Sequence, residues 1–121
     1  MAERVKWIVH KGKKILSCDF SNVAVEKEYL QLLERTTEML EVELNGNPSE
    51  ILQVVDITGA KPTRAVKEKA KDNMKLVKER SHLTFALVGI SGLTKIIANA
   101  ISKDMYFVSN IQEAKDKLVN A

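Results

Sequence analysis

Cysteine, proline, histidine and aromatic residues are all scarce in this chain of 121 residues, and each scarcity excludes something. The single cysteine, Cys18, can form no internal disulfide and assemble no cysteine metal cluster, which fits a reducing compartment. With two widely spaced histidines, His10 and His82, it makes no zinc signature, so neither a structural metal nor a cofactor is expected. No apolar run approaches the roughly 18 residues that a membrane-spanning helix needs. The charged start Met1-Ala2-Glu3-Arg4 lacks the apolar stretch of a secretory signal, so a cytoplasmic protein without a transmembrane segment is expected. Single-strand binders stack bases on exposed rings. Here the rings are only Trp7, Phe20, Tyr29, Phe85, Tyr106 and Phe107, most of them in strand-like runs, so no nucleic-acid partner is expected.

What is present suits one folded domain over residues 1–121, with 45% hydrophobic and 29% charged residues. A chain of this length buries roughly two-thirds of its unfolded surface and folds without staples. The net charge of +3 is modest, but it is unevenly distributed. Between Asp19 and Glu50 eight acidic residues stand against two basic ones; between Lys61 and Arg80 eight basic residues stand against three acidic ones. The second segment can attract an acidic partner or an anionic membrane surface, and it can equally be a solvated helix face.

Periodicity divides the chain into strands and helices. Val5, Trp7 and Val9 alternate with Lys6, Ile8 and His10; Lys11-Gly12 suits a tight turn, and Lys14 to Phe20 is a second β-rich run, predicting an antiparallel hairpin. Ser21 or Asn22 is the expected cap of a long helix with Val25, Tyr29, Leu33, Thr36, Leu40 and Leu44 inside and Glu26, Glu34, Glu38 and Glu41 outside. Ile51 to Ile57 is nearly continuous in apolar residues, as in a strand covered on both faces, and predicts the central strand. Pro62 is expected in the first turn of a helix with Val66, Ala70, Met74 and Val77 buried, running to about Arg80. Leu83 to Val88 predicts a strand, Ser91 a cap for a helix carrying Leu93, Ile96, Ile97, Ala100 and Ile101, Met105 to Val108 a short strand, and Asn110 the cap of a closing helix with Ile111, Ala114 and Leu118 inside. The order β-β-α-β-α-β-α-β-α implies an α/β fold, a mixed, mostly parallel sheet of about five strands with about four helices.

In such sheets ligands gather beyond the carboxyl ends of the strands, at Asp19, the turn 58–63 and the turn 89–95. Gly89-Ile90-Ser91-Gly92-Leu93 approaches a nucleophile elbow, but Leu93 stands where that motif needs glycine, and neither histidine has an acid partner legible by sequence. Nor is it a P-loop, since Lys95 follows Gly92 by three positions. Asp19, Asp56 and Ser91 resemble part of a magnesium-holding receiver site but lack its paired acids and its late lysine, and aspartates bonding turn amides are the plainer reading. Cys18 reads as a small core residue. Thr58 and Thr63 read as helix-start hydroxyls, which serve both as caps and as sites for a phosphate.

The runs 10–16 (HKGKKIL), 18–21 (CDFS), 54–60 (VVDITGA), 86–93 (ALVGISGL) and 113–115 (EAK), in this order over nearly the whole chain, resemble the SpoIIAA-like family, small proteins related to the STAS domains of anti-sigma-factor antagonists. The resemblance implies a STAS-like fold and a binding switch in which a kinase-type partner phosphorylates a hydroxyl after the central strand, within an Asp-Ser-x-Gly-Leu pattern. This chain has the shorter Thr58-Gly59-Ala60-Lys61-Pro62-Thr63 there, which attaches phosphorylation to Thr58 or Thr63. The family also looks similar to lipid-carrying folds, which implies an apolar pocket.

The leading expectation is a non-enzymatic, regulatory protein-binding module whose partner site comprises Asp56, Thr58, Gly59, Lys61, Thr63, Arg64, Lys67, Lys71, Ser91 and Gly92. The alternative is a carrier or sensor of a small apolar, lipid-like ligand, working at an anionic membrane surface through peripheral contact. An enzyme built on Asp19, Asp56 and Ser91 ranks third. Homodimerisation through an exposed helix pair or the hairpin edge is a further expectation.

Overall fold

The hairpin forms as the alternation requires. β1 (Val5–His10) pairs antiparallel with β2 (Lys13–Asp19), Val5 opposite Cys18 and His10 opposite Lys13. Lys11 and Gly12 both have positive φ, 50° and 80°, the left-handed pair that lets a two-residue turn match the twist of its strands. The computed structural model describes residues 3–89 and 105–120, and there the chain continues as α1 (Glu26–Leu44), β3 (Glu50–Asp56), α2 (Arg64–Lys78), β4 (His82–Val88), β5 (Met105–Val108) and α3 (Ile111–Val119). The helix expected around 93–101, its cap Ser91, and Gly92 lie outside the described residues.

The five strands form one sheet in the order β1-β2-β3-β4-β5, with β2 to β5 mutually parallel and β3 central. Right-handed crossovers between parallel strands that advance in one direction put their helices on one face. There α1 and α2 cover Val5, Leu16, Cys18, Ile51, Val55, Leu83 and Phe85. On the opposite face Ala114 and Leu118 of α3 pack with Ile15, Leu52, Val54, Ala86, Val88 and Val108. The nearly continuous apolar runs of β3 and β4, interrupted by the buried Gln53 and Thr84, follow from this arrangement, since successive side chains enter different cores.

Two helix starts differ from expectation. The N-cap of α1 is Val25, 59% exposed and without a side-chain cap bond, not Ser21 or Asn22. The chain first continues alongside β3, with Phe20 N bonded to the Asp56 carbonyl at 2.9 Å and Asn22 N to the Thr58 carbonyl at 2.8 Å, so the helix begins only after this extension. Pro62 precedes the cap of α2: Thr63 Oγ1 accepts from Val66 N at 3.4 Å. Asn110 caps α3 as expected, accepting from Glu113 N at 2.8 Å, while the Glu113 carboxylate accepts from Ser109 N at 3.3 Å.

Candidate functional site at the carboxyl edge of the sheet

Asp19, Asp56 and Val88 stand in register at the ends of three parallel strands, which brings three turns together. The first two turns repeat one device. Asp19 Oδ1 accepts from Ser21 N at 3.0 Å and from its hydroxyl at 2.5 Å; Asp56 Oδ1 accepts from Thr58 N at 2.9 Å and from its hydroxyl at 2.6 Å. Each aspartate thus closes its own turn through a two-residue local bond. Arg4 secures the first turn by donating to the carbonyls of Asp19 (3.3 Å) and Ser21 (3.0 Å).

The turns touch closely because two glycines permit it. Gly89 has φ +106°, and a Cβ there would lie 2.6 Å from Thr58 N and 2.8 Å from Thr58 Cα and Oγ1. At Gly59, φ +69°, a Cβ would lie 2.3 Å from Asn22 Oδ1. A side chain at Gly89 would press on the Thr58 backbone and separate the strand ends, whereas at Gly59 it would chiefly displace the Asn22 side-chain amide. Thr58 itself is exposed, and Asp56 orients its hydroxyl.

From this edge the chain leads into α2. Lys61, Arg64, Lys67 and Lys71 are exposed, and among the described residues none of the four has an ion-pair partner. Lys69 differs, since it bridges to Glu34 of α1 at 3.0 Å. The structure therefore gathers Asp56, Thr58, Gly59 and Lys61 at the edge, makes Thr63 the cap of α2, and places Arg64, Lys67 and Lys71 along the first half of that helix. Thr63 is engaged as a cap, whereas among the described residues the Thr58 hydroxyl hydrogen-bonds to its aspartate alone. Among the described residues no group of three or more His, Cys, Asp or Glu side chains could hold a metal ion.

Beneath α2 lies a cavity of about 360 Å³, between α1, α2 and the sheet. Its walls include Tyr29, Leu33, Val55, Val66, Phe85 and Met105, with Lys67 and Lys71 also lining it. Three buried polar side chains, Thr36, Gln53 and Asn73, interrupt the apolar surface, and the Thr36 hydroxyl donates to the Leu32 carbonyl at 2.9 Å. Asn73 is tied at both ends, its Nδ2 donating to the Leu33 carbonyl at 3.2 Å and its Oδ1 accepting from the Thr37 hydroxyl at 2.5 Å. Gln53 donates from Nε2 to the Cys18 sulfur at 3.5 Å. Burial pushes the Cys18 thiol up to about 11, as suits an inert core residue.

Sequence reasoning missed both amides, although each left a signal. Gln53 is the one polar residue between Ile51 and Val55, and Asn73 follows Val66 and Ala70 at helical spacing on the buried stripe. It also missed the partner of His10: Nε2 donates to Asp116 of α3 at 2.9 Å, joined by Lys11 Nζ at 3.3 Å. No sequence signal spans those 106 positions.

A scan of the sequence against protein-family models and a search of curated proteins both find no match. Solved structures do match. An uncharacterised DUF3478-family protein with a SpoIIAA-like fold from Shewanella loihica PV-4 superposes with a TM-score of 0.62 at 22% identity, over 94% of this chain and 91% of that one. This chain has the SpoIIAA-like, STAS-type fold. A serine-to-glutamate variant of RsbS from Moorella thermoacetica matches with a TM-score of 0.56 at 22% identity, over 98% and 97% of the two chains. A chain of the stressosome, a signal integration and transduction hub, matches with 0.52 at 20% identity, over 95% and 96%. These likenesses establish the SpoIIAA-like fold. Among the described residues no helix is long and apolar enough to cross a membrane.

Proposed function

We propose that this chain is a regulatory module that works by binding a protein partner and not by catalysis, through the edge formed by Asp56, Thr58 and Gly59 and the basic start of α2. The observation that carries the reading is the exposed Thr58, its hydroxyl held by Asp56, followed along the chain by Lys61, Arg64, Lys67 and Lys71, four exposed basic side chains that have no ion partner among the described residues. Unpaired surface cations are free to meet an acidic surface, and such charges govern encounter rate and specificity. A phosphate at Thr58 would stand close to the Asp56 carboxylate, and like-charge repulsion would open the turn. Likeness to RsbS and to a stressosome chain supports a regulatory role. Both aspartates are occupied by their own turns, which speaks for structure over acid–base work at this edge.

Reversing Lys67 and Lys71 to glutamate should leave the melting temperature nearly unchanged, since both are exposed, and should weaken the partner complex. Unaltered binding of the double variant at low salt would reduce the basic row to solvated surface. A second reading, that the chain carries or senses a small apolar ligand, rests on the cavity beneath α2, whose size falls within the roughly 300–1,000 Å³ of ligand pockets.

A further inference from the structure

We propose that the cavity beneath α2 takes an anionic amphiphile, an acid whose apolar body carries one hydrogen-bonding group. This rests on the ligand reading of the cavity and specifies it. A purely apolar occupant would fit Tyr29, Leu33, Val55 and Phe85 but would ignore two features. Lys67 and Lys71, one helical turn or roughly 6 Å apart along the axis, both line the cavity and both lack an acid partner among the described residues. Their neighbours Lys69 and Lys75 have theirs, Glu34 at 3.0 Å and Glu79 at 4.0 Å. Two exposed lysines that line an apolar space can bring their ammonium groups to a carboxylate or phosphate whose tail points inward.

The second feature is Gln53. It is 5% exposed in the central strand and lines the cavity, yet among the described residues its side chain makes one hydrogen bond, to a thiol sulfur, a weak acceptor. Asn73 across the cavity is satisfied at both ends, so the difference lies in the site and not in buried amides generally. Gln53 therefore offers its Oε1 and one N–H to an occupant, and a hydroxyl on the ligand's body would satisfy either.

Amide chemical shifts of the full chain can be followed during titration with octanoate, decanoate, dodecanoate, their ω-hydroxy counterparts and decan-1-ol. The expected shifts are at Val55, Val66 and Phe85, with decanoate binding about tenfold tighter than decan-1-ol because the alcohol lacks the charge. One ω-hydroxy acid should exceed its plain counterpart by roughly fivefold. Lys67→Gln with Lys71→Gln should bring decanoate down to the alcohol's affinity and leave the alcohol unchanged. Gln53→Met, nearly isosteric, should erase only the hydroxyl preference; if it unfolds the chain, the hydroxy-acid comparison on the wild type decides that part. Equal binding of decanoate and decan-1-ol would overturn this inference and leave the cavity reading standing, while no binding of any probe would overturn both. Anionic phosphatidylglycerol vesicles that shift only residues of the α2 surface, with no acid entering the cavity, would assign the lysines to a membrane and also overturn it.

Discussion

Replacing Gly89 with alanine tests whether the closeness of the strand-end turns organises the site. Two costs follow from the structure. A φ of +106° is strained for any residue with a Cβ, which costs about 1–3 kcal/mol. The new Cβ would also meet Thr58 N at 2.6 Å and its Cα and Oγ1 at 2.8 Å. Two of these three atoms are backbone, so side-chain rotation relieves little, and overpacking of this kind adds roughly 1–3 kcal/mol. The sum, about 2–6 kcal/mol, is a large part of the roughly 5–15 kcal/mol that holds a domain together. Gly12 supplies the control. It too has positive φ, +80°, but a Cβ there would meet nothing within 4 Å, so Gly12→Ala should cost the conformational strain alone, about 1–2 kcal/mol. Urea unfolding followed by far-ultraviolet circular dichroism measures both variants. Adding Thr58→Ala to Gly89→Ala should restore only a small part of the loss. Equal losses at Gly89 and Gly12, or full rescue by Thr58→Ala, would refute the argument.

Two further predictions concern titratable groups. Cys18 holds its proton more tightly folded than unfolded, so stability should fall as pH rises from about 9 to about 11, by roughly 2–3 kcal/mol. The slope should flatten in Cys18→Ala, and iodoacetamide at mildly alkaline pH should label only unfolded chains; rapid labelling of the native thiol would contradict its burial. Asp116 behaves oppositely: the hydrogen bond from His10, then that from Lys11, holds its carboxyl below the usual range. Its contribution is therefore complete above the ordinary carboxylate pKa and disappears as pH falls through the lowered value. Asp116→Asn should lower the melting temperature at neutral pH and match the wild type in acid; a difference that persists in acid would place the effect outside the clasp between hairpin and α3.

The sheet was legible in the sequence because burial on two faces leaves a nearly continuous apolar run, as in Ile51 to Val55 with Gln53 its one polar member. At the edge strand the alternation held only in part: Val5 and Trp7 meet the core under α1 and α2, Ile8 meets the opposite core and Val9 is 75% exposed. The caps Thr63 and Asn110 were legible because a local hydrogen bond needs only local residues. The start of α1 was not. Asn22 looks like a cap from its neighbours, but its amide is committed to Thr58, thirty-six positions away, through strand register. The paired turns at Asp19 and Asp56 were visible as separate residues, and their adjacency depends on the parallel pairing of β2 and β3. Gln53 and Asn73 broke the apolar pattern plainly, yet only the packing of α1 against α2 reveals that both line one cavity.

The most direct test of the account is native mass spectrometry of the chain purified gently from its own host, as wild type and as Lys67→Glu with Lys71→Glu. The wild type should carry a second, different polypeptide that the double variant lacks, while both chains have the same folded charge-state distribution. A wild type that arrives bare, or a complex that survives the charge reversal, would contradict a partner site at the basic edge of the sheet.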